Sequence, residues 1–150
     1  MAKIVVTYGV PAEGFSLLAG HEVVIPPSGA AFSREELLRL LPDADAVLAC
    51  TALDAGLIAA AEKLRIIVCY GAGYDAIDVA AATSRGIPVV NTPECVTRPT
   101  AEMTIALITA LARRLPELNA LMHTRPPREM FGLGLRMGAS LDGAVLGVVG

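Results

Sequence analysis

Residues 66–78 read IIVCYGAGYDAID, a β-branched apolar run that leads directly into a glycine-rich turn. The apolar run predicts a buried strand. Gly71 and Gly73 lack a Cβ, which allows backbone N–H groups to converge on an anion. Because ligands of open α/β sheets bind at the carboxyl ends of the strands, this turn is the first candidate binding site. A simple tight turn between a strand and a helix is the alternative interpretation.

The first hundred residues repeat this order of strand and helix. Ser33 and Glu36 form a capping box, which predicts a helix from there to Leu41. Asp54 and Asp78 each precede a further helical stretch that they can cap. Such alternation predicts parallel βαβ units, so the expected fold class is α/β with a flavodoxin-like parallel sheet of five strands. The predicted strands are residues 4–7, 22–25, 46–49, 66–69 and 89–90.

A long apolar helix is predicted to follow the sheet. Between residues 101 and 112, Glu102 is the only charged residue, and a helix that is apolar nearly all round must be buried on most sides. We therefore expect a helix from about Thr100 that lies between two domains or two subunits. Pro116 has no N–H for a helix interior, so it is expected to kink this helix or to begin a second one.

The pattern divides the chain into four parts. Residues 1–98 are predicted to form the sheet domain, and residues 99–123 a bridging helix. Residues 124–143 contain two prolines and four glycines, which indicates a connecting loop. Residues 144–150 read AVLGVVG, and this apolar run predicts a strand that opens a further domain.

The composition argues against several classes of function. The net charge is −3 without a basic run, so neither nucleic acid nor an anionic membrane is an expected partner. The apolar fraction is 54%, yet no apolar run reaches the roughly 20 residues that span a bilayer. The N-terminus has no signal-peptide layout. Cys50, Cys69 and Cys95 form no CxxC pair, so we expect a cytoplasmic protein with reduced cysteines and no metal.

The motifs along the chain resemble those of the D-isomer-specific 2-hydroxyacid dehydrogenases. That family reads GxGxDNID where residues 71–78 of this chain read GAGYDAID, and it continues with NTP, TAE and RR. The same three motifs stand here at residues 91–93, 100–102 and 113–114. One departure is Ala76, where the family usually has asparagine.

The resemblance implies a substrate domain, a bridging helix and the first strand of a Rossmann domain. It implies that the backbone amides of Ala72 and Gly73 hold the carboxylate of a 2-oxo or 2-hydroxy acid. Thr51 follows the third predicted strand, so we expect it beside this turn at the same edge of the sheet, at the lip of the pocket. Thr100 would contact the nicotinamide side of NAD or NADP, and Gly150 would be the first glycine of the phosphate-binding GxGxxG. The family's catalytic arginine, glutamate and histidine would lie beyond Gly150, so no catalytic residue is expected in this chain.

The implied activity is hydride transfer between a nicotinamide cofactor and a 2-oxo or 2-hydroxy acid by a D-specific homodimer. Glyoxylate or hydroxypyruvate reductases and phosphoglycerate dehydrogenases are the implied types, while the acid, the cofactor preference and the direction of flux stay open. A dinucleotide-sensing, corepressor-like binding protein on the same fold is the alternative. An unrelated flavodoxin-like module is disfavoured, because residues 9–13 are no Ser/Thr-rich phosphate loop and Cys50 stands where response regulators need an aspartate.

Overall fold

A computed structural model describes residues 1–130 and 132–149 of the chain. The chain divides into two units, Met1–Val96 and Thr97–Gly150. The first unit contains the whole sheet, and the second consists of helices and irregular segments.

Five parallel strands form the sheet of the first unit. They are β1 (Lys3–Val6), β2 (Glu22–Val24), β3 (Ala46–Ala49), β4 (Ile66–Cys69) and β5 (Val89–Val90). Their spatial order is β2-β1-β3-β4-β5, and every neighbouring pair is parallel. This is the flavodoxin-like order, so the predicted fold class is confirmed.

Three short helices connect the strands, and each begins at a predicted cap. Helix α1 (Arg34–Leu40) has the complete capping box, with the Glu36 carboxylate accepting from the Ser33 N–H at 2.7 Å. Helices α2 (Ala55–Ala60) and α3 (Val79–Ser84) begin after Asp54 and Asp78. Each of these carboxylates accepts from a backbone N–H of the first turn at 2.9 Å. Local capping therefore decides where these helices start. A 3₁₀ helix (Ala12–Leu18) joins β1 to β2.

Alternate strand residues point to opposite faces of the sheet. Val5, Val47 and Ile67 are each fully buried and pack in a core with apolar side chains of the three helices, such as Leu37, Leu57 and Ala82. The opposite face is lined by residues such as Ile4, Leu48 and Val68, which border an apolar cavity of about 280 Å³ with Phe15 and Leu18 of the 3₁₀ helix. The core that holds the strands in register is thus on the helix side.

The long helix begins earlier than predicted. Helix α4 spans Glu94–Ala112, so it starts six residues before Thr100 and contains Pro99 in its interior. None of the side chains described in α4 is buried, and Leu111 is 71% exposed. Helix α5 (Leu115–Thr124) follows after Arg114, which has a φ of 56°, and carries Pro116 in its first turn. Pro116 therefore begins a second helix, one of the two outcomes predicted for it.

The last part of the chain differs from its prediction in two places. A short helix α6 (Pro127–Met130) lies within the predicted loop. Residues 144–149 form no strand, although their apolar pattern predicted one. A strand exists only where its backbone groups pair with a neighbour, and in the described part of the chain no strand pairs with these residues. Gly150, the last residue of the predicted segment 144–150, lies outside the described residues.

Candidate anion-binding site

Two loops meet where β3 and β4 end. The strands pair in register from Ala46 with Ile66 to Ala49 with Cys69, so both chains leave the sheet at the same edge. Beyond the strands, the Leu53 N–H donates to the Ala76 carbonyl at 2.9 Å. This bond uses the backbone of residue 76, so it does not depend on the side chain at that position.

The glycine-rich turn has the shape that its sequence predicts. Gly71 has a φ of 115°, which side-chain-bearing residues rarely adopt. Gly73 faces open space, since a Cβ placed on it would meet only the Asp75 carboxylate, at 3.9 Å. The turn thus exposes backbone at residues 72 and 73, and both residues are exposed to solvent.

Three successive carbonyl groups of the turn are held by hydrogen bonds from the protein. The Gly71 carbonyl accepts from the Thr92 N–H at 2.9 Å, and the Ala72 carbonyl accepts from the Asn91 side-chain amide at 2.7 Å. The Gly73 carbonyl accepts from the Cys69 thiol at 2.9 Å. These bonds fix the turn to the ends of β4 and β5.

The N–H groups of Ala72 and Gly73 remain available to a ligand. Within residues 1–130 and 132–149, neither N–H donates a hydrogen bond, while the carbonyls around them are occupied. Free, exposed donors on a small-residue turn are what an anion requires. A cavity of about 300 Å³, lined by Tyr74, Val79, Val89, Val90 and Asn91, lies beside the turn.

Thr51 lies on the loop after β3, at the same edge of the sheet as the glycine-rich turn. Its position depends on Thr7, a fully buried residue directly after β1. The Thr7 hydroxyl accepts from the N–H groups of Cys50 at 2.9 Å and of Thr51 at 3.0 Å. Sequence reasoning missed this role of Thr7. The only signal was a polar residue at the end of an apolar strand.

The charges around the turn do not favour an anion. Residues 66–84 contain no lysine or arginine, and their two carboxylates are Asp75 and Asp78. Asp78 caps α3, whereas the Asp75 side chain has no bonding partner among the described residues. Burial raises the pKa of the Cys50 thiol, so this group stays neutral and adds no charge. The donors that residues 66–84 offer to a carboxylate are therefore uncharged, and they include the free N–H groups of Ala72 and Gly73.

The other predicted site residues lie elsewhere in the chain. Thr100 is in the second turn of α4, which corrects its predicted place at the start of the helix. Its carbonyl accepts from the Thr104 hydroxyl at 2.8 Å, while its own exposed hydroxyl has no partner among the described residues. Gly150 lies outside the described residues. Within those residues there is no cluster of metal-ligating side chains, and no helix is both long and apolar enough to cross a bilayer.

The family of the chain follows from comparison with known proteins. The profile of the D-isomer specific 2-hydroxyacid dehydrogenase catalytic domain matches residues 4–143. The chain therefore belongs to the D-isomer specific 2-hydroxyacid dehydrogenase family.

Individual relatives agree with this assignment. The chain is 37% identical to the glyoxylate reductase of Thermofilum pendens, over 99% of this chain and 45% of that protein. The crystal structure of the TT0316 protein from Thermus thermophilus matches with a TM-score of 0.80 and 31% identity, over 93% of this chain and 45% of that one. An NAD⁺-bound 3-phosphoglycerate dehydrogenase of Entamoeba histolytica matches with a TM-score of 0.63 and 36% identity, over 75% and 39%. The chain thus spans about half the length of the relatives it matches.

Proposed function

We propose that this chain is the substrate-binding half of a D-specific 2-hydroxyacid dehydrogenase that uses NAD or NADP. The observation that carries the proposal is the pair of free N–H groups of Ala72 and Gly73 at the carboxyl end of β4. The substrate carboxylate would accept hydrogen bonds from both groups. Thr51 would form the wall beside the reacting carbon, because its loop ends at the same edge of the sheet.

The acids that we propose as substrates are small 2-oxo acids such as glyoxylate and hydroxypyruvate, or the oxidised partner of a phosphoglycerate. Support comes from the relatives that carry glyoxylate reductase and 3-phosphoglycerate dehydrogenase names. No observation favours the corepressor-like alternative, which we do not propose.

The proposed cofactor supplies or accepts the hydride when it is bound. Thr100 fits a place beside it, because its hydroxyl is exposed and unpartnered among the described residues. Gly150 would begin the phosphate-binding turn. The contribution of the chain's own residues is to bind the carboxylate and to orient the carbonyl group. Residues 66–84 contain no cation, so any arginine that adds to the binding of the carboxylate comes from outside that stretch.

Replacing Gly73 by valine tests the carboxylate site. In an active protein that contains this chain, Gly73→Val is expected to raise KM for the 2-oxo acid and to lower kcat/KM at least about tenfold, roughly 1.4 kcal/mol of transition-state stabilisation. The valine would occupy the space that the carboxylate needs, while the fold has room for it. Steady-state kinetics with a range of 2-oxo acids measure the effect.

Gly20→Val is the matched control, because a Cβ at Gly20 meets nothing within 4 Å and residue 20 lies before β2, away from the carboxyl ends of the strands. Its kinetics should equal those of the unmodified protein. Unchanged kinetics in a folded Gly73→Val variant would place the carboxylate elsewhere.

The proposed assembly is a cytoplasmic homodimer in which α4 lies at the interface. Met103, Ile105, Leu107 and Leu111 are each more than half exposed on this helix. Contiguous apolar patches beyond a few hundred Å² are rare on soluble monomers, so such a surface needs a cover. The three free cysteines fit a reducing compartment.

Sedimentation velocity of the 150-residue chain tests this assembly. We expect a species larger than a monomer at micromolar concentration, and Ile105→Lys should shift it towards the monomer by placing a charge in the interface. Leu17→Lys is the control, since Leu17 is 94% exposed in the first unit. A monomer in which Ile105 is protected from solvent would argue against our placement of α4.

A further inference from the structure

Each free N–H of the glycine-rich turn is tied to the carbonyl of the preceding residue. A peptide group is planar, and in the trans form its C=O and N–H point in opposite directions. The chain contains no cis peptide bond among its described residues. The group that holds the Ala72 carbonyl therefore sets the direction of the Gly73 N–H, and the group that holds the Gly71 carbonyl sets that of the Ala72 N–H.

Asn91 holds the Ala72 carbonyl. Its side-chain NH₂ donates to that oxygen at 2.7 Å, and only the NH₂ end of the amide can donate to a carbonyl. Asn91 directly follows Val90, which is paired with Val68 in the β5–β4 ladder. Its backbone is therefore fixed by the sheet, and its side chain reaches across to the turn from a rigid base.

The two binding peptides differ in what holds them. The Gly71–Ala72 peptide is held mainly by the backbone N–H of Thr92 at 2.9 Å, with a longer bond of 3.4 Å from the Thr92 hydroxyl, and the backbone bond does not depend on the side chain at residue 92. The Ala72–Gly73 peptide is held by the Asn91 side chain. Donation to a carbonyl also polarises the N–H of the same peptide and makes it a stronger donor. A change at residue 91 should consequently affect one amide of the pair more than the other.

We propose that Asn91 is a positioning residue of the carboxylate site, which orients and polarises the Gly73 N–H through the Ala72 carbonyl. This inference rests on the proposed function, because it takes the Ala72 and Gly73 amides as the groups that bind the substrate carboxylate. Asn91 itself need not touch the substrate. If Asn91 only ended β5, the side chain at residue 91 would have no effect on the Gly73 N–H.

Amide NMR of the 150-residue chain tests the inference without a cofactor or turnover. The chain is titrated with sodium glyoxylate at constant ionic strength, and the ¹H–¹⁵N signals of Ala72 and Gly73 are followed. In the unmodified chain both signals should move as glyoxylate binds. In Asn91→Ala the titration midpoint at Gly73 should rise by about threefold or more, and the unliganded Gly73 proton should shift upfield because its peptide is less polarised.

Asn119→Ala provides the matched control. Asn119 is the second of the two asparagines in the chain, and it is exposed on α5. Its replacement should leave the signals of Ala72 and Gly73 and their titration midpoints unchanged. A Gly73 midpoint that is equal in Asn91→Ala and in the unmodified chain would overturn the positioning role while leaving the carboxylate site intact. If the Ala72 and Gly73 signals of the unmodified chain do not move when glyoxylate is added, both the carboxylate site and this inference would be overturned.

Discussion

The 150-residue chain is expected to show no measurable oxidation of NADH with glyoxylate, hydroxypyruvate or pyruvate. Proton transfer by a positioned acid contributes about 10²- to 10⁴-fold to such reactions and requires hydrogen-bond reach of the carbonyl oxygen. The two histidines are His21 and His123. His21 directly precedes β2, at the end of the parallel strands opposite to Ala72 and Gly73, and its Nδ1 accepts from the Ala2 N–H at 3.2 Å. His123 lies in the last turn of α5, in the second unit.

The change in NADH absorbance with time, at a high concentration of the chain, measures whether NADH is oxidised. An active glyoxylate reductase in the same buffer is the positive control, and His21→Ala and His123→Ala variants exclude a weak contribution of either imidazole. Turnover by the purified chain that persists after contaminants are removed would overturn the assignment of the proton-donating acid to a residue outside this chain.

The second large effect concerns stability. Thr7→Val should lower the free energy of unfolding by about 3 kcal/mol, because two backbone N–H groups lose their acceptor in a partly buried place. The isosteric valine adds no volume, so the loss reports on the hydroxyl. Urea denaturation followed by circular dichroism measures it.

Thr83→Val is the matched control for Thr7→Val. Thr83 is exposed on α3, and its hydroxyl donates to the Val79 carbonyl of its own helix, so its loss should change the stability little. Equal losses in the two variants would mean that the Thr7 hydroxyl does not hold the Cys50–Thr51 loop. The amide signals of Cys50 and Thr51 should move only in Thr7→Val.

Local signals made the sheet and its short helices predictable. The capping side chains of Ser33, Asp54 and Asp78 bond to backbone N–H groups three residues further along the chain. The strands are recognisable in the sequence as short runs rich in β-branched residues. The predicted start of α4 was wrong, because the helix begins at Glu94 and contains Pro99 in its interior. A proline in that place removes only the bond to the Cys95 carbonyl, and because Cys95 is exposed, that oxygen can bond to water instead.

The contacts that shape the site were not predictable in the same way. The strand-end rule located the turn at residues 71–73 and the loop of Thr51. The bonds from Thr7 to residues 50 and 51 span 43 and 44 positions, and that from Asn91 to Ala72 spans 19. Such pairings depend on the order of strands in space, which strand patterns alone do not specify residue by residue. In the sequence, Asn91 and Thr92 were accordingly noted only as part of the NTP motif that follows the last predicted strand of the sheet.

The proposed use of main-chain groups at residues 72 and 73 would separate the binding of the charged group from the selection of the ligand's side chain. Every amino acid except proline carries the same N–H, so residue 72 can change its identity without removing a donor. A change to a different ligand could then keep the proposed carboxylate contact and alter the proposed wall at residue 51. A set of variants at residue 51 should test new ligands while the main-chain donors stay in place.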